Sequence, residues 1–325
     1  MIRENKLLIY IRKTATIFIT VSMLTVLGME PAYATDPDTL GRNSGYVVIS
    51  EEEIAFYKGM FGFSKAGHLE SFEEKVERSR QVEATTYESE NTYISTEQTH
   101  LDGASFITAH VIIRDPSQIF VEYANGEFGG ERERPTDCAE RTGSVLVING
   151  SYFDYGTGEA MYAVAPVILH DEEIVRNGVT NGSEVCILSD GSFFSPHPGM
   201  FFSGDTLYEM GVKSNVGTAD PLLIQDGNLE SFPAGVAENV YPRTAVGMVS
   251  PGEYYFLVAG SGNYKGGLSY KQMQGIFYAL GCEYARSLDG GGSSAMVIDG
   301  NLMNTPAEGS ERAVVDFICI SDHIE

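Results

Sequence analysis

Two rhythms of apolar and polar positions run along the chain, and they change near residue 100. Behind Ser50, the apolar residues Ile54, Tyr57 and Phe61 recur at helical spacing. Ser50 and Glu53 form a capping box, so a helix is predicted there. Ser71 and Glu74 repeat the box ahead of Glu-Lys-Val-Glu-Arg and predict a second helix. Residues 81–100 are polar without a period and read as a flexible linker. Beyond Leu101 short apolar runs take over, at 105–114, 119–123, 145–148, 163–169, 184–188, 222–225 and 254–259. Asp190-Gly191, Asp226-Gly227 and Asp299-Gly300 punctuate them, and each pair is a hairpin signal. Residues 135–141 predict a short helix. Residues 269–280 predict a longer one, with Ser269 and Gln272 as capping box and Met273, Ile276, Phe277 and Leu280 as buried stripe; Gly281 stops it. Many hairpin-linked strands with few helices make an α+β body with mixed or antiparallel sheets and one main domain.

The N-terminus follows neither rhythm. Arg3, Lys6, Arg12 and Lys13 precede a short apolar stretch, and Ala32-Tyr33-Ala34 closes it as a small-residue cleavage site. Residues 1–34 are therefore expected to be a secretory signal peptide, or an uncleaved anchor of the same orientation, with a secreted or cell-surface product. Residues 35–100 then form an acidic spacer with one or two helices, and 101–325 the main domain. The chain has 45 acidic and 21 basic residues, for a net charge of −24. That excess argues against nucleic acid as a partner, because such affinity rests on basic patches. It also leaves contact with a membrane only to the N-terminal segment. Cys138, Cys186, Cys282 and Cys319 lack any C-x-x-C spacing, which disfavours a zinc site. They are either buried thiols or disulfides of an exported protein. The six histidines have no metal-ligand spacing. No cofactor is assigned; a structural calcium is conceivable in so acidic a chain, without ligands that can be named.

P-loop, nucleophile-elbow and zinc-protease motifs are all absent. Three constellations remain. In INGSYFD, residues 148–154, Asn149 ends a strand beside Gly150, and Tyr152 and Phe153 are placed to stack on a sugar. In YPRTAVG, residues 241–247, Pro242 fixes the backbone ahead of Arg243. That guanidinium either grips a phosphate or carboxylate ligand or closes an internal salt bridge. In SLDGGGSSAMVIDG, residues 287–300, a strand delivers Asp289 into Gly290, Gly291 and Gly292, then Ser293 and Ser294. Three glycines strip side chains from the turn, so N–H groups are expected to cradle an anionic oxygen.

INGSYF, PRTAVG and SLDGGGSSAM, with GSERAV near the end, resemble the phosphodiester glycosidase family, whose bacterial members are usually described as exopolysaccharide-associated. The resemblance spans roughly residues 100–320. It implies hydrolysis of the glycosidic bond in a sugar-1-phosphodiester, of the N-acetylglucosamine type or in a cell-surface glycan, with a sugar-phosphate or glycan as substrate. By the same resemblance Asn149, Arg243 and Asp289 are the catalytic candidates, with Asp289 as base, nucleophile or stabiliser of positive charge on the sugar. Tyr152, Thr244, Gly290, Gly291, Gly292, Ser293, Ser294 and Arg312 are the substrate-binding candidates. Ser151 replaces a usual glycine, Ser287 stands where Asn often precedes the loop, and Ala259-Gly260 replaces the family's Asp-Gly. The last change motivates a second reading, a glycan binder without turnover. A third has the acidic front as the active part of a surface scaffold.

Overall fold

Tight Asp-Gly turns build the sheets. In a computed structural model that describes residues 46–47, 50, 52, 56, 70–153, 165–260, 262–264 and 266–324, three of them have both residues at positive φ: Asp102-Gly103, Asp226-Gly227 and Asp299-Gly300. This is the backbone of the two-residue hairpin turn that matches strand twist. At Asp190-Gly191 only the glycine is left-handed, yet the hairpin closes all the same. The chain divides into two units, 1–47 and 48–325. Of the first only Tyr46–Val47, a short strand, is described; all that follows concerns the second. The predicted signal segment 1–34 and most of the helix expected behind Ser50 lie outside the described residues.

The largest sheet has eight strands. In chain order they are β1 (Thr85–Glu88), β2 (Thr92–Leu101), β3 (Ala104–Ile113), β11 (Leu222–Gln225), β12 (Asn228–Leu229), β13 (Arg243–Ser250), β14 (Glu253–Ala259) and β15 (Tyr284–Ser287). They lie side by side as β12-β11-β15-β13-β14-β3-β2-β1. A five-stranded sheet, β17-β16-β5-β18-β4, uses β4 (Ile119–Tyr123), β5 (Leu146–Asn149), β16 (Met296–Ile298), β17 (Asn301–Leu302) and β18 (Asp316–Ile320). Smaller sheets join β6 (Ile168–His170) to β7 (Glu173–Arg176), and β8 (Glu184–Leu188) to β9 (Phe193–Phe194) and β10 (Val212–Gly217). Every ladder in these four sheets is antiparallel.

One core joins the two larger sheets. Ile94, Val111, Val246 and Phe256 of the eight-stranded sheet share it with Val121, Ile148, Met296 and Ile318 of the five-stranded one. Helices cover the outer faces. Helix α1 (Phe72–Arg80) sets Phe72 and Val76 on Tyr93 and Ile112. Helix α2 (Pro135–Thr142) places Cys138 and Ala139 against Val147, Phe317 and Cys319. Helices α3 (Gly204–Glu209) and α4 (Ala234–Ala237) are short. Helix α5 (Tyr270–Ala279) has both halves of its predicted capping box in place and buries Met273, Ile276 and Phe277 completely. It lies close because Gly247 has no side chain: a Cβ there would stand 2.5 Å from the Phe277 ring. All four cysteines are buried free thiols.

The linker expected at 81–100 is instead sheet. Residues 85–88 and 92–101 form β1 and β2, and Tyr93 and Ile94 are fully buried. The middle of β2 carries exposed Glu97 and Gln98 and half-buried Thr99, and that polar stretch conceals a strand with a buried end.

Candidate active site

The glycine loop carries the chain from one sheet to the other. Strand β15 ends at Ser287 in the eight-stranded sheet, and β16 begins at Met296 in the five-stranded one. Asn149, the last residue of β5, pins this crossing. Its Nδ2 donates to the Asp289 carbonyl at 2.6 Å, and its Oδ1 accepts from Ala295 N–H at 3.2 Å and Thr244 Oγ1 at 2.8 Å. Asn149 and Thr244 are buried, at 1 % and 0 % exposure, and touch the site only through the backbone they hold.

The three glycines serve close approach. A Cβ at Gly290 would fall 2.6 Å from the Pro242 carbonyl, and one at Gly292 would collide with the Arg312 guanidinium. The expected N–H cradle is mostly spent inside the protein. Gly291 N–H donates to the Pro242 carbonyl at 2.9 Å, while Ser293 and Ser294 N–H donate to Gly290 and Gly291 in a single 3₁₀ turn. The turn closes these bonds because it must reverse the chain within three residues. Ser294 Oγ is buried and makes no hydrogen bond to the described residues.

In front of the loop opens a cavity of about 420 Å³. Tyr152, Arg243, Asp289, Gly290, Gly291, Gly292 and Arg312 line it, together with Tyr241, Tyr264 and Tyr270. Seven of the eleven residues expected at the site thus reach it; Asn149, Thr244, Ser293 and Ser294 stand behind. Asp289 is 7 % exposed, and its carboxyl is pushed up to about 7. Burial is the main cause, and the charge of Asp220 adds to it. The Ser293 hydroxyl, Arg312 and the Gly290 backbone pull the other way. Ser293 also accepts from Arg312 Nη1 at 3.3 Å, so it links the guanidinium to the carboxyl.

Asp220, which sequence reasoning missed, ties Tyr152 to Tyr270 and Arg243. One carboxylate oxygen accepts from Tyr152 at 3.1 Å and Tyr270 at 2.7 Å. The other accepts from Arg243 Nη1 at 3.2 Å and Ser287 Oγ at 2.8 Å. Arg243 donates further to the Tyr270 hydroxyl at 2.8 Å and the Asn239 carbonyl at 3.2 Å, and its guanidinium lies 4.0 Å from the Tyr270 ring centre. The internal salt bridge weighed for Arg243 therefore exists, in a residue that still lines the cavity. Ala259, where the resemblance leads one to expect a carboxylate, pairs directly across the strands with Arg243. In this chain the carboxylate beside Arg243 comes from Asp220. On the opposite wall Arg312 donates through Nε to Glu308 at 3.2 Å and through Nη2 to Glu308 and, at 3.1 Å, Tyr264. Glu308 also accepts from the Tyr264 hydroxyl at 2.7 Å. The only sequence hints of these partners were an Asp ahead of Pro221 and a Glu four residues before Arg312.

Among the described residues no three His, Cys, Asp or Glu side chains gather to hold a metal ion.

The phosphodiester glycosidase family model matches residues 142–321, more than half of the chain and the whole of the crossing and its walls. The chain belongs to the phosphodiester glycosidase family. A structural neighbour of this phosphodiester glycosidase family member is the catalytic domain of zebrafish N-acetylglucosamine-1-phosphodiester alpha-N-acetylglucosaminidase, solved auto-inhibited by its pro-peptide. It aligns at a TM-score of 0.57 with 20 % identity, over 74 % of this chain and 86 % of that one. A hypothetical protein from Synechocystis aligns at 0.50 with 14 % identity, over 73 % and 63 %. At these identities the likeness is one of fold. The SPbeta prophage-derived uncharacterized protein YomE of Bacillus subtilis (strain 168) is 29 % identical over 195 residues, which are 58 % of this chain. The chain spans only 30 % of that curated relative's length.

Proposed function

We propose that this family member is an exported hydrolase that cleaves the glycosidic bond of sugar-1-phosphodiesters, of the N-acetylglucosamine type or in a cell-surface glycan. The observation that carries the reading is Asp289: a buried carboxyl raised to about 7, on a cavity with a guanidinium on each wall. Breaking the bond between C1 and the phosphate oxygen leaves positive character on the sugar and the electron pair on the phosphate. The phosphomonoester that leaves is a weak base, so it needs charge and hydrogen-bond donors more than a proton. Arg243, held by Asp220, and Arg312, held by Glu308, supply the charge. Asp289 in its ionised form takes a proton from the water that attacks C1, and a value near 7 suits a base working at neutral pH. The products are the free sugar and a phosphomonoester.

The test is release of free sugar from sugar-1-phosphate methyl diesters. The rate per bound substrate should rise with pH through about 7, because the base acts ionised. Asp289→Asn should lower it by at least about a hundredfold, within the usual range for a general base. A parent chain that turns over no diester across several sugars, yet still binds them, returns the protein to the class of binders. Export belongs to the same proposal, and rests on the basic start, apolar stretch and Ala32-Tyr33-Ala34 site. N-terminal sequencing of the extracellular protein should begin at Thr35.

A further inference from the structure

Each arginine of the cavity already faces a carboxylate. Asp220 receives two donors on each oxygen, Arg243 among them at 3.2 Å. Glu308 takes Arg312 on two nitrogens, and Arg312 together with the Tyr264 hydroxyl holds it below the usual carboxylate range. Among the described residues the remaining acid on the cavity is Asp289. These five groups carry no net charge when Asp289 is protonated and one negative charge when it is not. Among the described residues no surplus positive charge waits for a ligand. The surrounding protein adds to this, with a net charge of −24.

We propose that Asp220 and Glu308 are charge-matching residues that limit the cavity to singly charged phosphodiesters and exclude doubly charged phosphate monoesters. The proposal rests on the reading of the cavity as a phosphodiester site, and deepens it. A diester brings one negative charge, which the arginine N–H groups solvate. A monoester at neutral pH brings close to two. The second charge meets Asp289, Glu308 and Asp220 across a few ångströms of low dielectric, where one unit of repulsion weakens binding by about tenfold or more. The same rule acts on turnover. Cleavage converts the singly charged substrate into a doubly charged product, which the cavity then holds more weakly than the substrate it came from. A cavity with either carboxylate removed gains one unit of positive charge and retains its product.

The experiment uses a C-glycosyl phosphonate and its methyl ester, which carry about two and one charges at pH 8 and have no bond between C1 and a phosphate oxygen to break. Calorimetric titration into the full-length protein should show the ester binding at least about tenfold more tightly than the free phosphonate. Glu308→Gln alters a partly exposed residue, so it keeps the test independent of folding. It should reduce that preference by about tenfold or reverse it. Asp220→Asn should act in the same direction. The proposal is overturned if the parent prefers the doubly charged ligand, or if Glu308→Gln leaves the ratio of affinities unchanged. Binding of neither ligand overturns it together with the phosphodiester reading. A parent that shows the predicted preference but hydrolyses no diester keeps this proposal and loses only the catalytic one.

Discussion

Burying Asp289 sets its chemistry and costs stability. Its carboxyl is moved from 3.8 to about 7, chiefly by burial. Such a shift corresponds to about 4 kcal/mol against the ionised native form. The sign follows from linkage. Below the ordinary value of 3.8 both folded and unfolded chains hold the proton, and there is no penalty. The penalty grows as pH rises and is complete above about 7. Asp289→Asn should therefore raise the melting temperature by several degrees at pH 8 and leave it nearly unchanged at pH 4, as scanning calorimetry would show. The residues that touch the cavity were partly legible in sequence. Asp289, Arg243, Tyr152 and the glycines carry their own signals, because unusual backbone and a Pro-Arg step mark a position whatever surrounds it. Asp220 and Glu308 carry almost none. A carboxylate becomes a partner only when the fold brings a guanidinium to it, and Asp220 is separated from Asp289 by the whole of β11 to β15. Asn149 was legible as important but not as what it is, since the hydrogen bonds that commit it to Asp289, Ala295 and Thr244 are all long-range.

Helix α1 is tied to its sheet by a buried charge cluster. His110 on β3 is 2 % exposed and stacks on Tyr255 at 4.4 Å. Its Nδ1 meets Glu83 at 2.9 Å and its Nε2 meets Glu253 at 3.1 Å. Arg78 of α1 donates to the same Glu253 oxygen at 2.8 Å, and Lys75 donates to Ser250 at 3.0 Å and the Pro251 carbonyl at 3.2 Å. Burial alone would lower the imidazole's value, but the bonds to Glu253 and Glu83 outweigh it and raise it. Burial likewise works against ionised Glu253, yet His110 and Arg78 bring that carboxyl down to about 2. The imidazolium contribution is complete below about pH 6.5 and fades as pH rises through the raised folded value. The Glu253 contribution is complete above about pH 4.5 and fades as pH falls toward 2. The cluster therefore contributes most between about pH 4.5 and 6.5. His110→Gln should lower the melting temperature by several degrees at pH 5.5, and the gap should narrow by pH 10. The two longer helices of the main domain and many of its strands were readable because hairpin turns and capping boxes are local. Strands β1 and β2 were not, because Glu, Gln and Thr on the solvent face break the apolar period that a reader follows. A chain beginning at Leu101 loses Tyr93 and Ile94 from the core and should elute as aggregate in size-exclusion chromatography, whereas a linker would have been dispensable.

At the scale of the molecule, the acidic surface and the charge-matched cavity act together. A net charge of −24 repels an anionic substrate at long range, and salt screens that repulsion within about 10 Å at 0.1 M. Raising ionic strength from 10 to 150 mM should therefore increase kcat/KM for a phosphodiester, the opposite of what a basic anion-binding site would show. The two large sheets also place a demand on how the molecule is assembled. Strand β18, residues 316–320, lies between β4 and β5, which are residues 119–123 and 146–149. Its Asp316 fits beneath Gly150, where a Cβ would stand 2.5 Å from the carboxylate, and both N–H and Oγ of Ser151 donate to it. Until that strand emerges, β4 and β5 face each other across an empty ladder. During synthesis the growing polypeptide therefore holds two adhesive strand edges open while everything between them is being made, and the interval is one in which a chaperone is needed more than in the finished protein.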